Sequence, residues 1–110
     1  MPTFITYASY SQAGVKGIID KPADRTEAIK DVVEKAGGKL VAAYMTTGTN
    51  DIVLMTEVAD GSDAVAVGMA AAASGALAKI ETVRAWTLAE FKGIAEKAGR
   101  FAGSYKPPGN

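Results

Sequence analysis

The sequence predicts an α+β domain of ferredoxin-like order, β-α-β-β-α-β, with a four-stranded antiparallel sheet, two helices on one face and a further helix at the C-terminal end. Three observations lead there. Four short stretches are rich in β-branched and aromatic residues. Stretches with apolar residues at spacings of three and four alternate with them. A Gly-Thr-Asn-Asp turn is all that separates the second and third strand stretches, which makes them a hairpin.

Thr3 to Tyr10 is the first strand. Ser11-Gln12-Ala13-Gly14 ends it, and Gly14 to Asp20 is expected to form an irregular turn. Pro22 suits a first helical turn, where its missing N–H would be unpaired anyway. From Asp24 to Ala36, the residues Ala28, Ile29, Val32, Val33 and Ala36 mark one helix face, and Asp31 with Lys35 makes an exposed pair of opposite charge. Gly37-Gly38 caps that helix. Lys39 to Thr47 and Ile52 to Val58 are the hairpin strands around Gly48-Thr49-Asn50-Asp51. Ser62 or Asp63 is placed to cap a helix over Ala64 to Ser74, and Lys79 to Trp86 is the fourth strand. Thr87 with Glu90 reads as a capping box for a helix over Leu88 to Ala98, ending at Gly99. The predicted domain spans 1–103, and 104–110, with Pro107, Pro108 and Gly109, is expected to be an exposed tail. No internal repeat shows by residue identity, and no linker divides the chain.

Composition narrows the chemistry. Twelve Lys and Arg balance twelve Asp and Glu, so the chain lacks the positive field that nucleic-acid binding relies on. No apolar stretch reaches the ~20 residues of a membrane span. The nearest, Ala64 to Ala78, contains Gly68, Ser74 and Gly75. Met1-Pro2-Thr3-Phe4 has no basic region ahead of an apolar run, so a signal peptide is not expected and the cytoplasm is the expected compartment. Without cysteine there is no thiolate nucleophile or thiol metal site, and without histidine no imidazole base. Gly14-Val15-Lys16-Gly17 matches neither the dinucleotide fingerprint nor the P-loop, and Asp20, Asp24 and Asp31 do not follow a calcium-loop spacing. No cofactor and no metal are expected.

Two helices cover one face of a sheet, so the other should alternate to polar residues if it meets water. It does not. One face of the first strand carries Phe4, Thr6, Ala8 and Tyr10, the other Thr3, Ile5, Tyr7 and Ser9. Leu40, Ala42, Tyr44 and Thr46 oppose Val41, Ala43, Met45 and Thr47 in the second strand, and Val53, Met55 and Glu57 oppose Ile52, Leu54, Thr56 and Val58 in the third. An apolar patch of that extent marks an interface, and a second copy of the sheet is the simplest cover.

Single residues carry weaker signals. Asp51 is either a turn carboxylate bonding backbone amides or a base or ligand group. Gly48 is expected at positive φ, and Asn50 tolerates the same conformation. Arg84 lies in an apolar strand on the alternation of Ile80, Thr82 and Trp86, and needs a carboxylate, Glu57 or Glu81, or an anionic ligand. Tyr7, Tyr10, Tyr44 and Trp86 are either packing aromatics or the lining of a pocket. Met45, Met55 and Met69 read as core filler, and the run Ala70 to Gly75 as a flat helix surface for close helix–sheet or subunit packing.

The segments Pro2 to Tyr10, Gly37-Gly38-Lys39, Tyr44 to Asp51 with the strand after it, and Thr82 to Thr87 resemble the GYD-domain proteins, a likeness that covers most of the chain. That family is named for a Gly-Tyr-Asp signature at the hairpin. Here Gly48 and Asp51 are kept and Asn50 stands where the tyrosine is expected. The resemblance implies a ferredoxin-like fold assembled sheet against sheet, like the dimeric α+β barrels, and brings no established reaction. The expected function is a module that pairs with itself as a homodimer or higher homo-oligomer. Its paired sheets would enclose an apolar pocket for a small ligand, with Arg84, Tyr7, Tyr44, Trp86 and Asp51 as ligand-binding candidates. A cofactor-independent oxygenase or isomerase, or a structural subunit of a larger assembly, are the alternatives, and catalytic residues are not assigned.

Overall fold

The structure, a computed structural model, describes residues 1–109. It contains β1 (Thr3–Tyr10), α1 (Gln12–Asp20), α2 (Thr26–Lys35), β2 (Lys39–Met45), β3 (Ile52–Glu57), α3 (Gly61–Ala73), β4 (Leu77–Ala85) and α4 (Leu88–Ala102). The strands form one antiparallel sheet in the order β2-β3-β1-β4. The α+β class and the four-stranded antiparallel sheet are as the sequence predicts. The sheet is open: β2 and β4 are its edges, and the single chain closes no barrel.

Several boundaries differ from the predicted ones for local reasons. Gly14 to Asp20, expected as an irregular turn, belongs to a helix over Gln12–Asp20. Ser11 is its N-cap, with the hydroxyl accepting from the Gly14 amide at 3.1 Å, and a Lys16–Asp20 pair spans one turn at 2.8 Å. Gly14 and Gly17 argue against a helix here, but the Ser11 cap and packing against the turn before β4 prevail. Pro22 lies between α1 and α2, outside both. The α3 cap is Asp60, not Ser62 or Asp63; its carboxylate accepts from the Ser62 amide at 2.9 Å. The last helix does not stop at Gly99 but runs on to Ala102. Its Thr87–Glu90 capping box is present with both bonds, 3.0 and 2.8 Å, and the Asp31–Lys35 pair stands at 3.0 Å. Of the predicted tail, 104–109 are exposed and without helix or strand, while Asn110 lies outside the described residues.

The α2–β2 junction uses two glycines in different ways. Gly37 holds φ +80°, where only glycine is unstrained. Gly38 has ordinary φ but no room: an added Cβ would collide with Val58 Cγ1 and stand 2.8 Å from the Glu57 carbonyl oxygen.

Both α2 and α3 lie on one face of the sheet, and the buried core of Ala8, Val33, Ile52, Val58 and Ala64 sits between them and β1 and β3. Register fixes the faces. Phe4, Thr6 and Ala8 stand beside Thr56, Leu54 and Ile52 on one side and Arg84, Thr82 and Ile80 on the other, all toward the helices. The opposite face carries Tyr44, Val53, Tyr7 and Glu81 in one cross-strand row and Ala42, Met55, Ile5 and Val83 in the next. Among the described residues no element covers it. Met45, Met55 and Met69, read as core filler, are all exposed, Met55 because it stands on that open face.

The α4 helix buries none of its residues. Leu88 is 93% and Phe101 67% exposed, with Phe91 half-exposed on the same side. The radius of gyration, 17.6 Å, exceeds the about 13 Å of a compact chain of this length. The body is extended because α4 does not fold back onto it.

Candidate functional site

The five residues expected to line one pocket stand in three separate places. Tyr7 and Tyr44 share a row of the open face, on either side of Val53. They are two strand spacings apart, roughly 9–10 Å. Tyr44 is 68% exposed on its edge strand. Arg84 and Trp86 lie at the end of β4 and toward the helix-covered face, because Arg84 pairs with Phe4. Asp51 is in the hairpin connection.

Arg84 is half-buried, and one of its guanidinium nitrogens is bonded to backbone. Its Nη1 donates to the Thr3 carbonyl at 3.2 Å and to the Ala85 carbonyl, and its guanidinium stands 4.5 Å from the Trp86 ring centre and 5.7 Å from that of Phe4. Neither expected carboxylate partner reaches it. Glu57 pairs with Thr3 and Glu81 with Tyr7, and both residues are on the open face. The period-two alternation that puts Trp86 beside Arg84 also turns Glu81 away. Cation–π stacking and carbonyl acceptors thus replace the ion pair.

Asp51 acts as a turn residue. Its Oδ2 accepts from the Tyr10 amide at 2.9 Å, its own N–H donates to the Ala8 carbonyl at 2.8 Å, and its carbonyl accepts from the Thr46 amide at 2.7 Å. The connection is longer than a tight turn, six residues between Met45 and Ile52. Gly48 holds φ +96°, as expected, whereas Asn50 does not share that conformation. The Asn50 Oδ1 atom is buried and has no hydrogen-bond partner among the described residues.

A cavity of about 330 Å³ lies on the other side, between α2, α3 and the sheet. Ala8, Val33, Ile52, Leu54, Val67 and Ala71 line it. Its origin is the composition of α3. Gly68 lets the helix approach Ile80, where an added Cβ would stand 3.1 Å from Cδ1. Beyond that contact, Ala70 and Ala71 are too short to fill the space over the sheet. The alanine run expected to pack closely therefore leaves room. A second cavity of about 220 Å³ adjoins it and shares Tyr10, Arg25, Ile29 and Ile52. Tyr10, grouped by sequence with Tyr7 and Tyr44, belongs to this side. Arg25 carries no signal in the sequence; the small residues of α3 are the one signal for the cavity.

Three carboxylates are held below their ordinary range by hydrogen bonds: Asp24 by the Thr26 hydroxyl and amide, Asp60 chiefly by the Ser62 amide, and Glu90 chiefly by the Thr87 amide. Asp60 and Glu90 are capping groups, and Asp24 stands just before the start of α2. Among the described residues no group of three or more acidic side chains could hold a metal ion, and no helix is long and apolar enough to cross a membrane.

The family model described as the GYD domain matches residues 4–95. No curated protein matches the sequence. Among solved structures, the crystal structure of FFRP-DM1 is similar over 78% of this chain and 100% of that one, at 14% identity and a TM-score of 0.54. TTHA0845 from Thermus thermophilus is similar over 79% of this chain and 95% of that one, at 17% identity and a TM-score of 0.50. An uncharacterised NIPSNAP domain protein from Burkholderia xenovorans aligns over 81% of this chain and 96% of that one, at 15% identity and a TM-score of 0.47. At these identities the likeness is one of fold.

Proposed function

The chain belongs to the GYD-domain family, and from that starting point we propose that it works as a self-associating module whose open sheet face is covered by the same face of a second copy. One observation carries the reading: Ile5, Tyr7, Val53, Met55 and Val83 form a continuous apolar surface that no element among the described residues covers. Exposed apolar area costs about 25 cal/mol per Å² relative to burial, so covering this face is favourable. Charge supports a like partner. The face carries Glu81 in the Tyr7 row and Glu57 opposite Lys39 at its end, and the molecule has no net charge to oppose self-contact.

The α4 helix supports the same reading. Leu88, Phe91, Ile94, Ala98 and Phe101 fall on one side of an amphipathic helix that buries none of them. A helix of 15 residues is marginal alone in water. A second copy supplies the missing surface for both elements.

Light scattering tests this. The expected mass is twice 11.3 kDa or a multiple of it, and Met55→Lys, which puts a charge in the middle of the face, should give a folded monomer. A wild-type monomer at micromolar concentration overturns the proposal.

A further inference from the structure

The cavity between α2, α3 and the sheet has no part in sheet pairing, since it lies on the opposite face. Protein interiors are packed to crystal-like density and hold few voids larger than a water molecule. A space of about 330 Å³ is instead within the roughly 300–1,000 Å³ range of small-molecule sites. Its walls say what enters. They are mostly aliphatic, and two of the hydroxyls among them are engaged: that of Thr6 with Thr82 at 3.0 Å, and that of Ser74 with the Ala71 carbonyl at 2.6 Å.

The mouth adds one charge. Arg25 lines both adjoining cavities and is the only cationic residue lining either. Lys16, Lys30 and Lys35 each have a carboxylate within 4 Å, but among the described residues Arg25 has none. Arg25 is also the N-cap residue of α2 without a side-chain capping bond, so the positive end of the helix dipole adds to its charge. Asp24, the one acidic residue at the mouth, lines only the smaller cavity, and its Oδ1 already accepts from the Thr26 amide and hydroxyl at 2.9 and 2.6 Å.

We infer that this cavity binds a small apolar carboxylic acid, with its hydrocarbon body between the helices and the sheet and its carboxylate on Arg25. A guanidinium suits a carboxylate because its planar fork can donate two parallel bonds. The aliphatic walls exclude a ligand that is polar throughout.

The test compares two probes of one shape, 4-phenylbutyrate and 4-phenyl-1-butanol, titrated into the full chain with methyl NMR as readout. The acid is expected to bind saturably, with shifts centred on Ala8, Ile52, Leu54 and Val67. The alcohol should bind about tenfold more weakly, the loss of one charge-assisted interaction. Arg25→Gln should bring the acid down to the alcohol and leave the alcohol unchanged, while Ala71→Leu, which fills the space, should weaken both. Equal binding of acid and alcohol to the wild type, no saturable binding, or shifts confined to the open face would each overturn the assignment. The wild-type comparison stands whether or not either variant folds.

Discussion

Arg84 donates to the backbone carbonyl of Thr3, the first residue of the neighbouring strand, and so ties the end of β4 to the start of β1. Its stacking on Trp86 holds the fork in place. Lysine carries the same charge but cannot stack flat while donating to two carbonyls. Arg84→Lys should therefore lower unfolding stability by about 1 kcal/mol, measured by urea denaturation. Because the acceptors are uncharged, the loss should be the same at low and high salt. A wild-type midpoint for the variant would mean that the fork contributes nothing.

The α1 helix gives a paired prediction. An added Cβ at Gly14 collides with the Ala76 carbonyl, while one at Gly17 meets nothing within 4 Å. Gly14→Ala should destabilise by about 1–3 kcal/mol through overpacking. Gly17→Ala, inside a helix, should stabilise by roughly 0.5–1 kcal/mol. If thermal melts show the two substitutions acting alike, Gln12–Asp20 is not the helix described.

Asp51 should prove structural. Asp51→Ala leaves the Tyr10 amide without its acceptor, which costs about 1–3 kcal/mol in a half-buried site. Asp51→Asn keeps an acceptor and should lose less. Hydrogen exchange at the Tyr10 amide reads the bond directly: it should speed up in the alanine variant and stay slow in the asparagine one.

The start of α4 should loosen in acid. The Thr87 amide favours the Glu90 carboxylate and lowers its pKa below the ordinary 4.5. The stabilisation is then complete above that value and is lost as pH falls below it, through the lowered folded value. Chemical shifts of Thr87 to Phe91 followed from pH 6 to pH 3 should report the loss. In Glu90→Gln the amide side chain makes the same bond at every pH, so those residues should show no such transition.

The parts legible in the sequence are those set by neighbours along the chain. The Thr87–Glu90 capping box, the Gly37-Gly38 stop, the positive φ of Gly48 and the alternation of β1 depend on a few consecutive residues, and each stands as read. The α1 helix is hard to read because its local signals, the Ser11 cap and the Lys16–Asp20 pair, are set against two glycines, and part of what holds it is distant: Ser11 bonds to the carbonyls of Gly75 and Ala76. No local pattern announces them.

Which residues share a place was decided by register. Alternation gave each strand two faces but did not say which faces of different strands coincide, and that question separates Tyr7 and Tyr44 from Arg84 and Trp86. One-residue parity also removes Glu57 and Glu81 as partners of Arg84. The cavity is a still more collective property. It exists because short side chains on α3 face a sheet surface contributed by β1, β3 and β4, and the volume left between them belongs to no single segment. The sequence by itself determined the elements and their amphipathic faces, because these follow from the backbone period and from caps a few residues apart. Only the tertiary structure decided the sites, because packing distance and strand register are set by residues far apart in the chain.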